Sequence, residues 1–167
     1  MALQQTGLSV ASLPLAPAAE RRYVGRTEEL GAALLPFNKP SEVIVRVLRK
    51  LGANPTERLD EFDQDPEYTA CRSEELPLYY ELYVQGPLDP SEREVLCCFM
   101  LEGLNDFCGE GITHPLQGSI FDALIEAGLH SEELDYWTDT SDPDAENWWP
   151  VTKALVAHRS SRVSRRD

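Results

Sequence analysis

Asp89-Pro90-Ser91-Glu92 runs directly into Val95-Leu96-Cys97-Cys98-Phe99-Met100-Leu101 and on to Leu104, Phe107 and Cys108. This stretch constrains the fold more than any other. Asp89 suits the N-cap of a helix, where its carboxylate accepts from the free N–H groups of the first turn. Pro90 suits the first helical position, which needs no N–H. Glu92 stands three residues after the cap, where it can reach back to the N-cap amide as a capping box. Gly109 is positioned to end the helix in the left-handed conformation. A helix that is apolar around most of its circumference must be packed on several sides. The expectation is a mainly α chain: a single-domain helical bundle built around a buried helix over about 90–108.

The flanking segments fit that plan. Residues 1–22 read as an arm that lacks a basic start and is interrupted by Pro14 and Pro17, so it does not resemble a signal peptide. Residues 23–158 read as one helical domain, and 159–167 as a basic, Ser-rich tail that frays. Thr27 suits the cap of a short helix ended by Pro36. Ser41 suits the cap of another, with Val43, Ile44, Val47, Leu48 and Leu51 on one face and Gly52 closing it. Asn54-Pro55-Thr56-Glu57 starts a short helix through Leu59 and Phe62. Residues 76–84 support two readings. Alternation of Leu78, Tyr80, Leu82 and Val84 suits a short strand, whereas Pro77 near the start and Gly86 at the end suit a helix with Leu78 and Leu82 together. The helix is preferred, because a lone strand leaves its backbone groups unpaired. Beyond Gly109-Glu110-Gly111, Thr113-His114-Pro115 opens a helix carrying Leu116, Ile120, Leu124 and Ala127, closed by Gly128. Gly103 and Gly118 would permit close approach of these two helices. Asp142-Pro143 reads as one more helix start, with Pro150 kinking or restarting it.

Charge narrows the function classes. The 167-residue chain carries a formal net charge of −14 and shows no basic groove, which argues against nonspecific binding to nucleic acid. No apolar run reaches the length of a membrane span. The four cysteines form no C-x-x-C pair and no zinc spacing with histidine, and they read as reduced thiols in a cytoplasmic protein. Asp139, Asp142, Asp144 and Glu146 lack the ligand order and the turn glycine of a calcium loop. No metal or cofactor is predicted.

Catalytic patterns are weak. Cys108 and His114 offer a thiol and an imidazole close in sequence, but a helix C-terminus disfavours thiolate. Asp106, near the end of a largely buried helix, is the most interesting single acid. A small enzyme using Asp106, Cys108 or His114 is therefore the alternative reading.

The main functional signal is the segment from Glu132 to Trp149. It carries Glu132, Glu133, Asp135, Asp139, Asp142, Asp144 and Glu146 without a Lys or Arg, together with Tyr136, Trp137, Trp148 and Trp149. Aromatic side chains anchor interfaces, and carboxylates around them steer toward a basic surface. The segment predicts a partner-binding face made of Glu132, Glu133, Asp135, Tyr136, Trp137, Asp139, Asp142, Asp144 and Trp148. The partner would be a basic protein. One concrete form is an inhibitor or immunity-type protein that neutralises a basic toxin or enzyme by occlusion. A structural subunit that docks through residues 76–84 is a further possibility, and the oligomeric state is left open.

Overall fold

Four of the eight α-helices among the described residues of the computed structural model begin at a proline or one residue before one, at Pro55, Pro66, Pro77 and Pro90. The structure describes residues 42–59 and 65–164. The arm at 1–22, the helix from Thr27, the Ser41 cap and Phe62 lie outside the described residues. The helices are α1 Glu42–Lys50, α2 Pro55–Arg58, α3 Pro66–Thr69, α4 Leu76–Gln85, α5 Pro90–Gly109, α6 Gln117–Ala127, α7 Ser131–Trp137 and α8 Thr152–Val163. Two 3-10 turns, Ser73–Glu75 and Ala145–Asn147, complete the described elements, and no strand occurs among them.

The central helix α5 forms as its sequence dictates. Asp89 Oδ1 accepts from the Glu92 amide at 2.9 Å, and Glu92 Oε2 accepts from the Asp89 amide at 2.9 Å, so both halves of the capping box are made. Leu96, Cys97, Phe99, Met100, Leu101 and Leu104 have no exposed surface. Burial of this kind contributes roughly 1.5–3 kcal/mol per large side chain, and it outweighs any single polar contact in the molecule. The helix ends two residues later than Gly109 suggested. Gly109 is its last helical residue, and the left-handed position is Gly111, at φ 73°. There the Gly111 amide donates to Cys108 O and the Ile112 amide to Phe107 O, which satisfies two of the terminal carbonyls in a Schellman motif. Gly52, at φ 74°, ends α1 in the same way, donating to Arg49 O while Ala53 donates to Leu48 O.

The broadest contacts of α5 are with α4 and α1. Ile44, Val47 and Leu48 of α1 are buried, as the period of that segment requires. Glu92 is 2% exposed and ties the two helices together, accepting from Lys50 Nζ at 2.6 Å and Arg46 Nε at 3.3 Å. Residues 76–84 are helical, and the strand alternative is corrected. The buried face is also not the one expected. Leu76, Tyr79 and Tyr83 point inward, while Leu78 is 49% and Val84 52% exposed. Tyr79 and Tyr83 are one turn apart on one side of the helix, where their rings meet Phe99 and His130 and fill more core volume than Leu78 and Leu82 would.

Three further expectations shift. Gly103 does allow a close approach, but to the turn before α4: a Cβ there would lie 3.2 Å from Leu76 Cδ1 and 3.7 Å from Cys71 Sγ, whereas one on Gly118 would meet nothing. Helix α6 starts at Gln117, not Pro115, because His114 and Leu116 first make a turn. Asp142-Pro143 starts no α-helix; the chain makes only the 3-10 turn at 145–147 and restarts as α8 after Pro150. Helix α8 then continues through part of the predicted tail, where Arg159 pairs with Asp135 and Arg162 with Asp122 and Glu126.

Candidate binding face

Two kinds of residue separate within the acidic-aromatic segment. Trp137 is 1% and Trp149 6% exposed, their ring centroids 5.1 Å apart. Tyr136 lies half-buried against both, at 5.7 and 5.9 Å, and Tyr68 meets Trp137 at 6.1 Å. These aromatics extend the one hydrophobic core among the described residues, where α7, α3 and the segment just before α8 meet. The expected anchor Trp137 is thus not part of the surface. Its apolar bulk gains more from complete burial than from a place at the rim, and its Nε1 finds an acceptor inside, Glu133 Oε1 at 2.7 Å.

Glu133 follows Trp137 inward. The same Oε1 accepts from the Tyr68 hydroxyl at 3.0 Å. This carboxylate serves the aromatic cluster and is not a rim charge. Asp135 is exposed but pairs with Arg159 at 3.1 Å. Trp148 is half-buried, and its Nε1 donates to Asp142 O at 2.9 Å.

Besides Asp135, the exposed carboxylates of this segment are Glu132 on α7 and Asp139, Asp144 and Glu146 on the loop that follows, with Asp142 half-exposed between them. The loop holds itself. Asp139 Oδ1 accepts from the Ser141 amide at 2.8 Å, Asp142 Oδ1 from the Asp144 amide at 2.8 Å, and Asp144 Oδ1 from the Glu146 amide at 3.0 Å. Asp142 Oδ2 also accepts from Asn147 Nδ2 at 3.1 Å. Each aspartate caps the backbone two residues on, so the acidic spacing is itself the turn chemistry. At its ends the loop is bound to the core, through Thr152 Oγ1 donating to Trp137 O at 2.9 Å and the Val151 amide donating to Asn105 Oδ1 at 3.3 Å. No group of three or more His, Cys, Asp or Glu side chains among the described residues is arranged to hold a metal ion.

The candidate catalytic residues are not brought into one constellation. Cys108 Sγ points to Gln117 Oε1 at 3.7 Å, and burial pushes its thiol pKa up, away from thiolate. His114 Nδ1 accepts from the Leu116 amide at 3.1 Å, and its ring lies against Phe107. Burial raises the Asp106 carboxyl pKa, with Ser73 opposing the rise. The sequence reading missed Glu102, one turn before Asp106 on α5. Burial, and secondly the Asp106 charge, raises its carboxyl pKa to about 7. An acid at that place in an otherwise apolar run was the available signal.

No protein-family model matches this chain, and neither does any curated protein or solved structure. No helix among the described residues is long and apolar enough to cross a membrane.

Proposed function

We propose that the protein is an acidic binding module that engages a basic partner protein through the loop 138–147 and the exposed start of α7, in the manner of an inhibitor occluding a cationic site. The observation that carries this reading is the self-capped loop, which presents Asp139, Asp142, Asp144 and Glu146 on a fixed frame. No Lys or Arg lies between Glu132 and Thr152. Carboxylates held in place add their fields without an ordering cost at the moment of binding, which favours association with a complementary surface. The aromatic contribution is smaller than the sequence suggested. Trp148 and Tyr136 offer ring edges, while Trp137 supports the face from beneath.

The test is a combined E132Q, D139N, D144N and E146Q variant. Asparagine keeps the oxygen that caps each turn, so the frame persists while the charge is lost. Wild type should retain a basic protein from native-cell extract. Its association rate should fall about tenfold or more as the Debye length shrinks from about 10 Å at 0.1 M salt to about 3 Å at 1 M. The neutral variant should associate slowly at all salt concentrations. An identical rate for the two proteins would remove the proposal.

A second reading, a subunit docked through α4, draws on the exposed Leu78 and Val84. It requires a solution mass above that of the monomer which L78E returns to the monomer value.

A further inference from the structure

His130 is a buried ionisable side chain that the binding face does not explain. It is 4% exposed and stands at the N-cap of α7. Its Nε2 meets the Tyr83 hydroxyl of α4 at 2.8 Å, and Tyr83 is itself 3% exposed. Its Nδ1 has no hydrogen-bond partner among the described residues and does not cap α7. The residue therefore joins the first turn of α7 to α4 through a single polar contact. Gly128, left-handed at φ 63°, and the 61%-exposed Leu129 lie immediately before it.

Every charged or titratable group facing this ring bears on what protonation would do. From α4 there is Tyr83. From α5 there is Arg93, whose guanidinium lies 5.3 Å from the Tyr83 ring centroid and donates to Tyr83 O at 2.9 Å. From α5 there is also Cys97, whose charge would act on Tyr83. From α7 there is Glu133, already accepting from Trp137 and Tyr68. An imidazolium must donate from both nitrogens. The Tyr83 hydroxyl can accept one of these hydrogen bonds, but Nδ1–H would face no acceptor among the described residues. The Oε1 of Glu133 is already held by Trp137 and Tyr68. The Arg93 charge and the positive end of the α7 dipole also oppose a cation there. Burial and Arg93 accordingly lower the His130 pKa, with Glu133 opposing them in part.

We propose that His130 is an acid-operated latch: the neutral ring holds the first turn of α7 against Tyr83, and its protonation peels residues 128–133 away. Release moves Glu132 and detaches Glu133 from Trp137 and Tyr68. The consequence for a partner, weaker holding below neutral pH, rests on the binding reading above; the latch itself does not.

The sign follows from linkage. The closed form binds fewer protons than the open form, so closure is strongest above the ordinary histidine value of about 6.5 and weakens as pH falls below it, until the depressed pKa of the closed form is passed. Within that window the open population rises by up to about tenfold per pH unit. The Leu134 amide, which donates to His130 O at 2.9 Å, is a direct reporter. Amide exchange should be followed on the full chain from pH 7.5 to 5, corrected for intrinsic rates, in wild type and in H130Q. Glutamine can still bond the Tyr83 hydroxyl but does not titrate. Expected is a loss of Leu134 protection on acidification in wild type and not in H130Q, with α5 amides protected in both. Equal pH dependence in the two proteins overturns the latch. If H130Q does not fold, the wild-type His130 ring resonance decides. A midpoint depressed together with Leu134 exchange supports the proposal, while an ordinary midpoint with Leu134 still protected overturns it. Neither result depends on whether a basic partner binds.

Discussion

Glu92 performs three tasks with one carboxylate: it closes the capping box of α5, and it anchors Arg46 and Lys50 of α1. Removing it takes one acceptor from each cation, although Arg46 keeps Asp89 Oδ2 and Lys50 keeps Pro87 O, and it takes the side-chain acceptor of the Asp89 amide. The cations are 43% and 34% exposed and regain water, which discounts the loss relative to a fully buried pair. E92A should therefore cost about 2–3 kcal/mol, measured by urea unfolding at pH 7. The hydrogen bond from Lys50, first, and that from the Asp89 amide hold the Glu92 pKa below its usual 4.5. A carboxyl with a depressed native pKa contributes stability above the unfolded value and loses it as pH falls through the native one. The wild-type advantage over E92A should accordingly shrink below about pH 4.5. Glu102 has the opposite sign. Its native pKa of about 7 means that stability is full below about 4.5 and declines as pH rises to 7. E102Q should match wild type near pH 4.5 and exceed it by on the order of 2 kcal/mol at pH 8, again read from urea midpoints.

At the scale of elements, what the sequence made legible depended on whether the deciding atoms were local. The capping box of α5 involves four consecutive residues, and both its hydrogen bonds formed as read. The α1 period and its terminal Gly52 were local as well. The buried face of α4 was not, since the choice of Tyr79 and Tyr83 over Leu78 and Leu82 depends on Phe99 and His130, which come from other elements. The end of α5 falls between. Two glycines two residues apart both satisfied the local rule, and the structure used Gly111. This gives a paired test by thermal unfolding. G111A places a Cβ at φ 73° and should destabilise by about 1 kcal/mol. G109A lies inside the helix, with Pro150 Cγ at an ordinary 3.6 Å, and should be neutral or stabilising by up to about 1 kcal/mol.

For the molecule as a whole, the acidic excess and the aromatic excess of the last third separate in space. Composition showed both but not that Trp137 and Trp149 would face one another while the loop carboxylates faced out. The partition follows from the difference between burying an indole and burying an unpaired charge, yet which indole goes inside depends on the position of α3 and α5, far away in the chain. The net charge of −14 has its own consequence. Self-repulsion among uncompensated acids opposes the compact state. The neutralised loop variant used to test binding should therefore melt at or slightly above wild type, while wild type alone retains fast association. Circular-dichroism melts in low salt check this, and a marked drop in midpoint would mean that the loop charges serve the fold.

The nearness of the Trp137 and Trp149 rings has an optical consequence. Two indole chromophores held 5.1 Å apart at an interplanar angle of 47° share their excited states. The protein should show an exciton couplet on the long-wavelength shoulder of its helical spectrum, a built-in signal that vanishes when the two rings part.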